Sequence, residues 1–271
     1  MKNFERKKNK ETENNIKHNS PTKKKSKIMY NLIVFICICV IVYSSYNIIM
    51  WAIENKKNND ILVDMQSVVG VTNEKITIDD KPFQKRIYDF TELLKRNSKT
   101  VGWVYVPNSK IDYPVVQAED NDFYLTHSFD NSENSAGWIF ADSSCNVLES
   151  QNVIIYGHNR KDLSMFGSLK KVYDDEWISN LENNYITFAN LEGTGIYKIF
   201  SAFVVNDEHV NSYLETDFSS QESFEAYIKK IKSSSNQNFD TDIENTEKII
   251  TLYTCYGMNN QRLLVFAKKV A

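Results

Sequence analysis

"TLYTCYGMNNQRLLVFAKKV", residues 251–270, sets two runs of strand-forming residues on either side of a polar loop. Cys255 ends the first run and Arg262 opens the second, with six residues between them. This predicts an antiparallel hairpin with both residues at the same end, across from each other. A guanidinium does not lose its charge. Beside a thiol it can lower the thiol pKa, hold an oxyanion, or both. The plain alternative is that Cys255 is a small buried hydrophobe.

Working back from this hairpin, short runs rich in Val, Ile, Tyr, Phe and Trp recur from Val101 onward. They are "VGWVYVP", "YPVVQ", "GWIFAD", "NVIIYGH", "YITFAN" and "IYKIFSAFVV", followed by "KIITLYT" and "RLLVFAKKV" of the hairpin itself. Polar or turn-forming segments separate them. Eight such strands predict a mainly β fold, an eight-stranded closed or nearly closed barrel. One helix is expected between the sixth and seventh strands, in "SSQESFEAYIKKIKSS", with Ser220 as N-cap and Phe224, Tyr227, Ile228 and Ile231 on one face. A second amphipathic helix is expected in "PFQKRIYDFTELLKRN", where Ile87, Phe90, Leu93 and Leu94 share a face.

A nucleophilic cysteine needs a proton-transfer partner. His158 closes "NVIIYGHN" directly after an apolar strand, and Gly157 permits a sharp exit. That junction favours it over His127, in "FYLTHSFD", and over His209, which follows another apolar strand. A structural role is the alternative for each.

The N-terminal end sets the setting. Residues 1–27 carry ten Lys or Arg against three Glu, about +7 in a chain whose net charge is −3. So basic and polar a segment does not pack, and alone it would suggest nucleic acid. The next 26 residues, Ile28–Ile53, contain no charge at all. Roughly 20 apolar residues suffice to cross a bilayer, and a cleaved signal would be shorter. The stretch predicts an uncleaved anchor with the lysine-rich side cytoplasmic and everything after it facing outward. The basic tail is then a topology signal and nucleic acid is not an expected partner. Residues 54–82 read as a polar stalk with weak helical signals around Ile61–Val69. Cys37 and Cys39 lie within the anchor, and only Cys145 and Cys255 lie beyond it, too few for a disulfide framework, though one bridge between them stays open. Scattered acidic residues and the lack of a Gly-rich loop give no metal and no cofactor to expect.

The local wording now matters. "TLYTC" with an Arg opening the last strand resembles the sortase signature. "NVIIYGHNRKDLSMFGSLKKVYDD" is similar to the sortase histidine segment, and "VGWVYVPNSKIDYPVVQAEDNDFYLTHSFDNSENSAGWIFAD" to the first strands of class B sortases. The resemblance covers roughly residues 85–270. It implies a sortase-type barrel with N-terminal helices, a catalytic domain over 83–271, and His158, Cys255 and Arg262 as the catalytic trio. It further implies a cysteine transpeptidase and endopeptidase of Gram-positive cells, which cuts a C-terminal sorting motif of secreted proteins after Thr and passes the acyl group to a peptidoglycan amine. By the same resemblance Thr254, Tyr253, Tyr213 and Leu214 contact substrate, and His127 is structural. The chain departs from common class B members in its short loop after Cys255, and in Tyr253, Tyr256 and Gly257. A pilin-polymerising sortase would use the same trio, and a non-catalytic surface barrel would leave Cys255 inert.

Overall fold

The structure is a computed structural model that describes residues 22–257 and 260–271. Most of the basic tail expected at 1–27 therefore lies outside the described residues. Helix α1 spans Thr22–Val68. Residues up to Met50 form a unit of their own, distinct from Trp51–Ala271. From Ile28 onward in that first unit the helix carries apolar residues on every side, with Leu32, Ile33, Phe35 and Ile38 all exposed. A helix with no polar face is suited to lipid rather than water, and it is long and apolar enough to cross a membrane.

The second unit begins with the remainder of α1. Asn58, Ile61, Leu62, Met65 and Val68 recur at three- and four-residue spacing and form its packed face. Met65 and Val69 are 3% and 7% exposed. Asn58 donates to the Gly137 carbonyl at 3.1 Å and accepts from Asn134 at 2.9 Å. The segment expected as a stalk thus packs on the body of the domain along part of its length.

Strands β1 (Gly70–Ile78) and β2 (Lys81–Asp89) pair antiparallel. Asp79 and Asp80 make the two-residue turn between them, both at positive φ. A primed turn of this kind matches the strand twist, and aspartate tolerates it better than most residues. The long helix expected over 82–97 is therefore mostly strand. Only α2, Thr91–Arg96, is helical, and Asp89 accepts from the Thr91 N–H at 2.9 Å beside its start. The physical reason is visible in β2, where Tyr88 is buried and Ile87 exposed, the reverse of the expected helical face.

The barrel strands are β3 (Thr100–Tyr105), β4 (Asp112–Val116), β5 (Phe140–Ala141) and β6 (Asn152–Tyr156), then β7 (Tyr185–Asn190) after the short helix α3 (Asp175–Ser179). Strand β8 (Thr194–Asn206) leads into α4 (Asp207–Val210) and α5 (Gln221–Ser233), and β9 (Ile249–Tyr256) and β10 (Gln261–Lys269) follow. All eight expected strands are present, and they close in the order β10-β8-β7-β3-β4-β5-β6-β9. Pairing is antiparallel except for β4 with β5 and β6 with β9. Closure leaves no barrel edge to template association.

Helix α5 sits between the sixth and seventh barrel strands. Ser220 caps it by accepting from the Ser223 N–H at 3.2 Å. Its buried face, Phe224, Tyr227, Ile228 and Ile231, packs with Phe200, Phe203, Leu264 and Phe266 in a cluster separate from the main core. Burial of side chains this size contributes about 1.5–3 kcal/mol each, and it fixes the outer face of β8 and β10.

Candidate active site

Cys255 and Arg262 are direct cross-strand partners in the β9–β10 register. Opposed residues in an antiparallel pair present their side chains on one face. The connecting turn needs positive φ at Gly257 and Asn260, which glycine and asparagine supply with least strain. Cys255 is exposed and not bridged.

On its other side β9 pairs in parallel with β6, Tyr156 against Tyr253. The pairing runs on past the strand end. The Gly157 N–H donates to the Tyr253 carbonyl at 3.1 Å, and Thr254 Oγ1 donates to the Gly157 carbonyl at 2.7 Å. Two residues past the end of β6 the chain reaches His158, at the end of the barrel where β9 carries Cys255. The β10 start that carries Arg262 and the β6 end that leads into His158 thus flank the part of β9 that carries Cys255.

His158 Nε2 lies 2.8 Å from the Leu125 carbonyl. A carbonyl only accepts, so Nε2 carries a hydrogen and Nδ1 is the nitrogen left to exchange a proton. Gly137 packs behind the ring at φ +59°, and a Cβ there would stand 2.9 Å from His158 Cδ2 and 2.6 Å from the Tyr124 carbonyl. A cleft of about 460 Å³ opens beside the histidine, lined by Trp51, Ser135, His158, Asn159, Arg160 and Lys161.

Each nitrogen of Arg262 has a protein oxygen beside it. Nε donates to Tyr253 Oη at 2.9 Å and Nη1 to the Gln261 carbonyl at 3.1 Å. Nη2 is ion-paired with Asp207 Oδ1 at 3.0 Å. Burial works against the guanidinium charge, but Tyr253, Cys255 and Asp207 outweigh it and hold the side chain charged. Burial also raises the Tyr253 hydroxyl pKa, with Arg262 opposing, so that hydroxyl stays protonated.

The residues expected to contact substrate divide. Thr254 is 2% exposed, and its hydroxyl donates to the Gly157 carbonyl, which ties β9 to the histidine junction. Tyr213, Leu214 and Tyr253 are partly buried on the cluster beneath α5. Tyr213 stacks edge-on against Phe203 at 4.9 Å and lies under Lys230 Nζ at 4.5 Å.

The other candidates are occupied elsewhere. His127 Nδ1 is 2.8 Å from the Phe123 carbonyl, and its ring stacks on Phe123 at 4.1 Å. His209 is exposed on α4, 3.4 Å from Glu208. Cys145 is buried and unbridged, and burial raises its thiol pKa. The bridge to Cys255 left open by the sequence is not formed. Among the described residues no group of three or more His, Cys, Asp or Glu is placed to hold a metal. Sequence reasoning missed Leu125, Gly137 and Asp207. Gly137 is one of only eight glycines in the chain, which was an available signal, and the other two carried none.

The Sortase domain family profile matches residues 104–270. A protein named Sortase B from Listeria monocytogenes is 34% identical over 223 residues, which cover 80% of this chain and 85% of that protein. Sortase B from Staphylococcus aureus is 26% identical, over 88% of this chain and 95% of its own length. Among solved structures, Bacillus anthracis sortase B superposes with a TM-score of 0.68 at 30% identity, over 80% of this chain and 98% of that one. Clostridium perfringens sortase B gives 0.63 at 34%, over 68% of this chain and the whole of that one.

Proposed function

The chain belongs to the sortase family, in its class B branch, and from that premise we propose that it is a membrane-anchored transpeptidase whose catalytic trio is His158, Cys255 and Arg262. The observation that carries this is the pairing of Cys255 with Arg262 across β9–β10, with His158 two residues beyond the end of the parallel neighbour β6.

With its proton on His158, Cys255 attacks as the thiolate the carbonyl carbon of a threonine in the C-terminal sorting motif of a secreted protein. The S–C bond forms, and the carbonyl electrons move onto oxygen, where Arg262 donors face the developing charge. As the C–N bond breaks, protonated His158 delivers a proton to the leaving amine. The threonine is then a thioacyl ester on Cys255. An amine of a peptidoglycan precursor attacks that ester, His158 takes its proton, and the Cys255 thiolate is released as the new amide forms. With Nε2 bound to the Leu125 carbonyl, the shuttling nitrogen of His158 is Nδ1. Tyr213, Leu214 and Tyr253 are suited to wall the substrate groove, being partly buried side chains on one cluster.

The apolar part of α1 supports a single-pass anchor, and the lysine-rich tail supports a cytoplasmic N-terminus with the barrel on the outer side.

The test is incubation of the full chain in detergent with a library of sorting peptides, with and without amine acceptors that mimic either a cell-wall peptide or a pilin lysine. We expect cleavage after Thr, a thioacyl adduct on Cys255 by mass spectrometry, and transfer to the cell-wall amine. Cys255→Ala should show none of these, and alkylation should strike Cys255 far faster than Cys145. Peptide turnover by Cys255→Ala would overturn the assignment, and preferential transfer to the lysine acceptor would redirect it to polymerisation.

A further inference from the structure

Arg262 can help an oxyanion only if its free N–H groups face the thiol, and a long side chain at a strand end does not hold one direction by itself. A guanidinium carries five N–H groups. Hydrogen bonds to Tyr253 and the Gln261 carbonyl use one on Nε and one on Nη1. Both belong to the hairpin that carries Arg262. The third contact does not. Asp207 stands at the start of α4, after β8, and its carboxylate lies 3.0 Å from Nη2. Its backbone N–H also donates to the Asn260 carbonyl at 2.8 Å, which fixes the carboxylate against the β9–β10 turn. The Arg262 side chain is 19% exposed and that of Asp207 47%. A half-exposed pair of this kind adds little to stability. It does select one orientation of the planar fork, because the charge attracts one Nη from a fixed side.

We propose that Asp207 is a positioning residue for the reaction, acting through Arg262: its charge holds Nη2 so that the remaining donors face the carbonyl under attack by Cys255. This rests on the catalytic reading above. Asp207 touches no reacting atom and moves no proton. Its action is electrostatic, since the contact is an ion pair without an aligned hydrogen bond. A neutral isostere should therefore fail where a longer carboxylate succeeds.

The experiment compares wild type, Asp207→Asn, Asp207→Glu and His209→Ala, all as full chains in detergent. Misplacing a catalytic group by about an ångström costs up to roughly 10²-fold in rate. We expect Asp207→Asn to lose about 10- to 100-fold in kcat with a smaller change in KM, Asp207→Glu to recover most of that loss, and His209→Ala, a change on the same short helix, to act like wild type. Independently of turnover, an arginine-selective dicarbonyl should modify Arg262 faster in Asp207→Asn. Turnover of Asp207→Asn within twofold of wild type would overturn the proposal, as would an equal loss in His209→Ala or an unchanged rate of Arg262 modification. Absence of turnover in wild type would instead count against the catalytic reading, and the modification rates would still decide whether Asp207 holds Arg262.

Discussion

At the scale of single residues, Arg262 and Gly137 show how narrowly the site is held. Lysine at 262 would keep the charge but has one nitrogen, which cannot meet Tyr253, Gln261 and Asp207 together. Loss of an oriented donor typically lowers rate ~10²–10³-fold, and we expect Arg262→Lys to fall in that range with Arg262→Ala no better, measured by peptide turnover with Cys255 alkylation as the control. Near-normal turnover in the lysine variant would leave only an electrostatic role. Gly137→Ala should fail on two counts. The left-handed backbone costs a side-chain-bearing residue about 1–2 kcal/mol, and the added Cβ meets the Tyr124 carbonyl and the His158 ring. Thermal unfolding should fall by that amount, and turnover should fall further than the stability loss explains. Cys255, Arg262 and His158 could be singled out as candidates in the sequence because each lies within two residues of the end of a recognisable strand. Leu125 and Asp207 were not, because they meet the site across the fold, through a backbone carbonyl in one case and a common surface residue in the other.

The elements divide along the same line. Barrel strands with alternating or continuous apolar runs were readable, down to Phe140–Ala141, a strand of only two residues. The β1–β2 hairpin was not. Its turn is Asp79-Asp80 without glycine, and β2 offers apolar residues at a spacing that a helix could also use. What fixes it as a hairpin is pairing along nine residues and a tether at the turn: Asp79 accepts from Tyr185 Oη at 2.7 Å and Lys198 Nζ at 2.5 Å. These bonds hold the Asp79 carboxyl below its ordinary 3.8. As pH falls, the unfolded chain takes up this proton first, so the tether contributes fully above 3.8 and fades as pH drops through the lower folded value. We expect the stability of Asp79→Asn to depend less on pH than wild type as pH falls below 3.8, measured by denaturant unfolding at a series of acid pH values. Equal slopes would place the acid sensitivity elsewhere. A second junction, Thr254 with the Gly157 carbonyl, should cost about 1–3 kcal/mol in Thr254→Val, which leaves that carbonyl unpaired. Because Gly157 precedes His158, a fall in kcat should accompany it, and unchanged kcat would separate the junction from the histidine.

For the molecule as a whole, the division near Met50 predicts how it can be shortened. Removal of residues 1–50 should leave a soluble domain with unchanged unfolding temperature, because the packed face of α1 that belongs to the barrel unit begins only after Trp51. Removal of residues 1–69 should destabilise it, since Met65 and Val69 are then lost from the core at about 1.5–3 kcal/mol each. Equal stability of the two truncations would show that the C-terminal part of α1 is dispensable.

The order of the barrel strands bears on timing. The ring is closed through β9 and β10, the last barrel strands in chain order, and β9 fills the place between β6 and β10. A nascent chain therefore carries its histidine junction roughly a hundred residues before the thiol and arginine emerge, at a synthesis rate of about 5–20 residues per second. In that interval β6 and β8 have no partner on one side, and nothing resembling the reactive pair exists. Chemistry and architecture are completed by the same strand insertion. A polypeptide interrupted before β9 is left as an open sheet with His158 but neither Cys255 nor Arg262, incapable of acylating itself on passing peptides while it waits to fold.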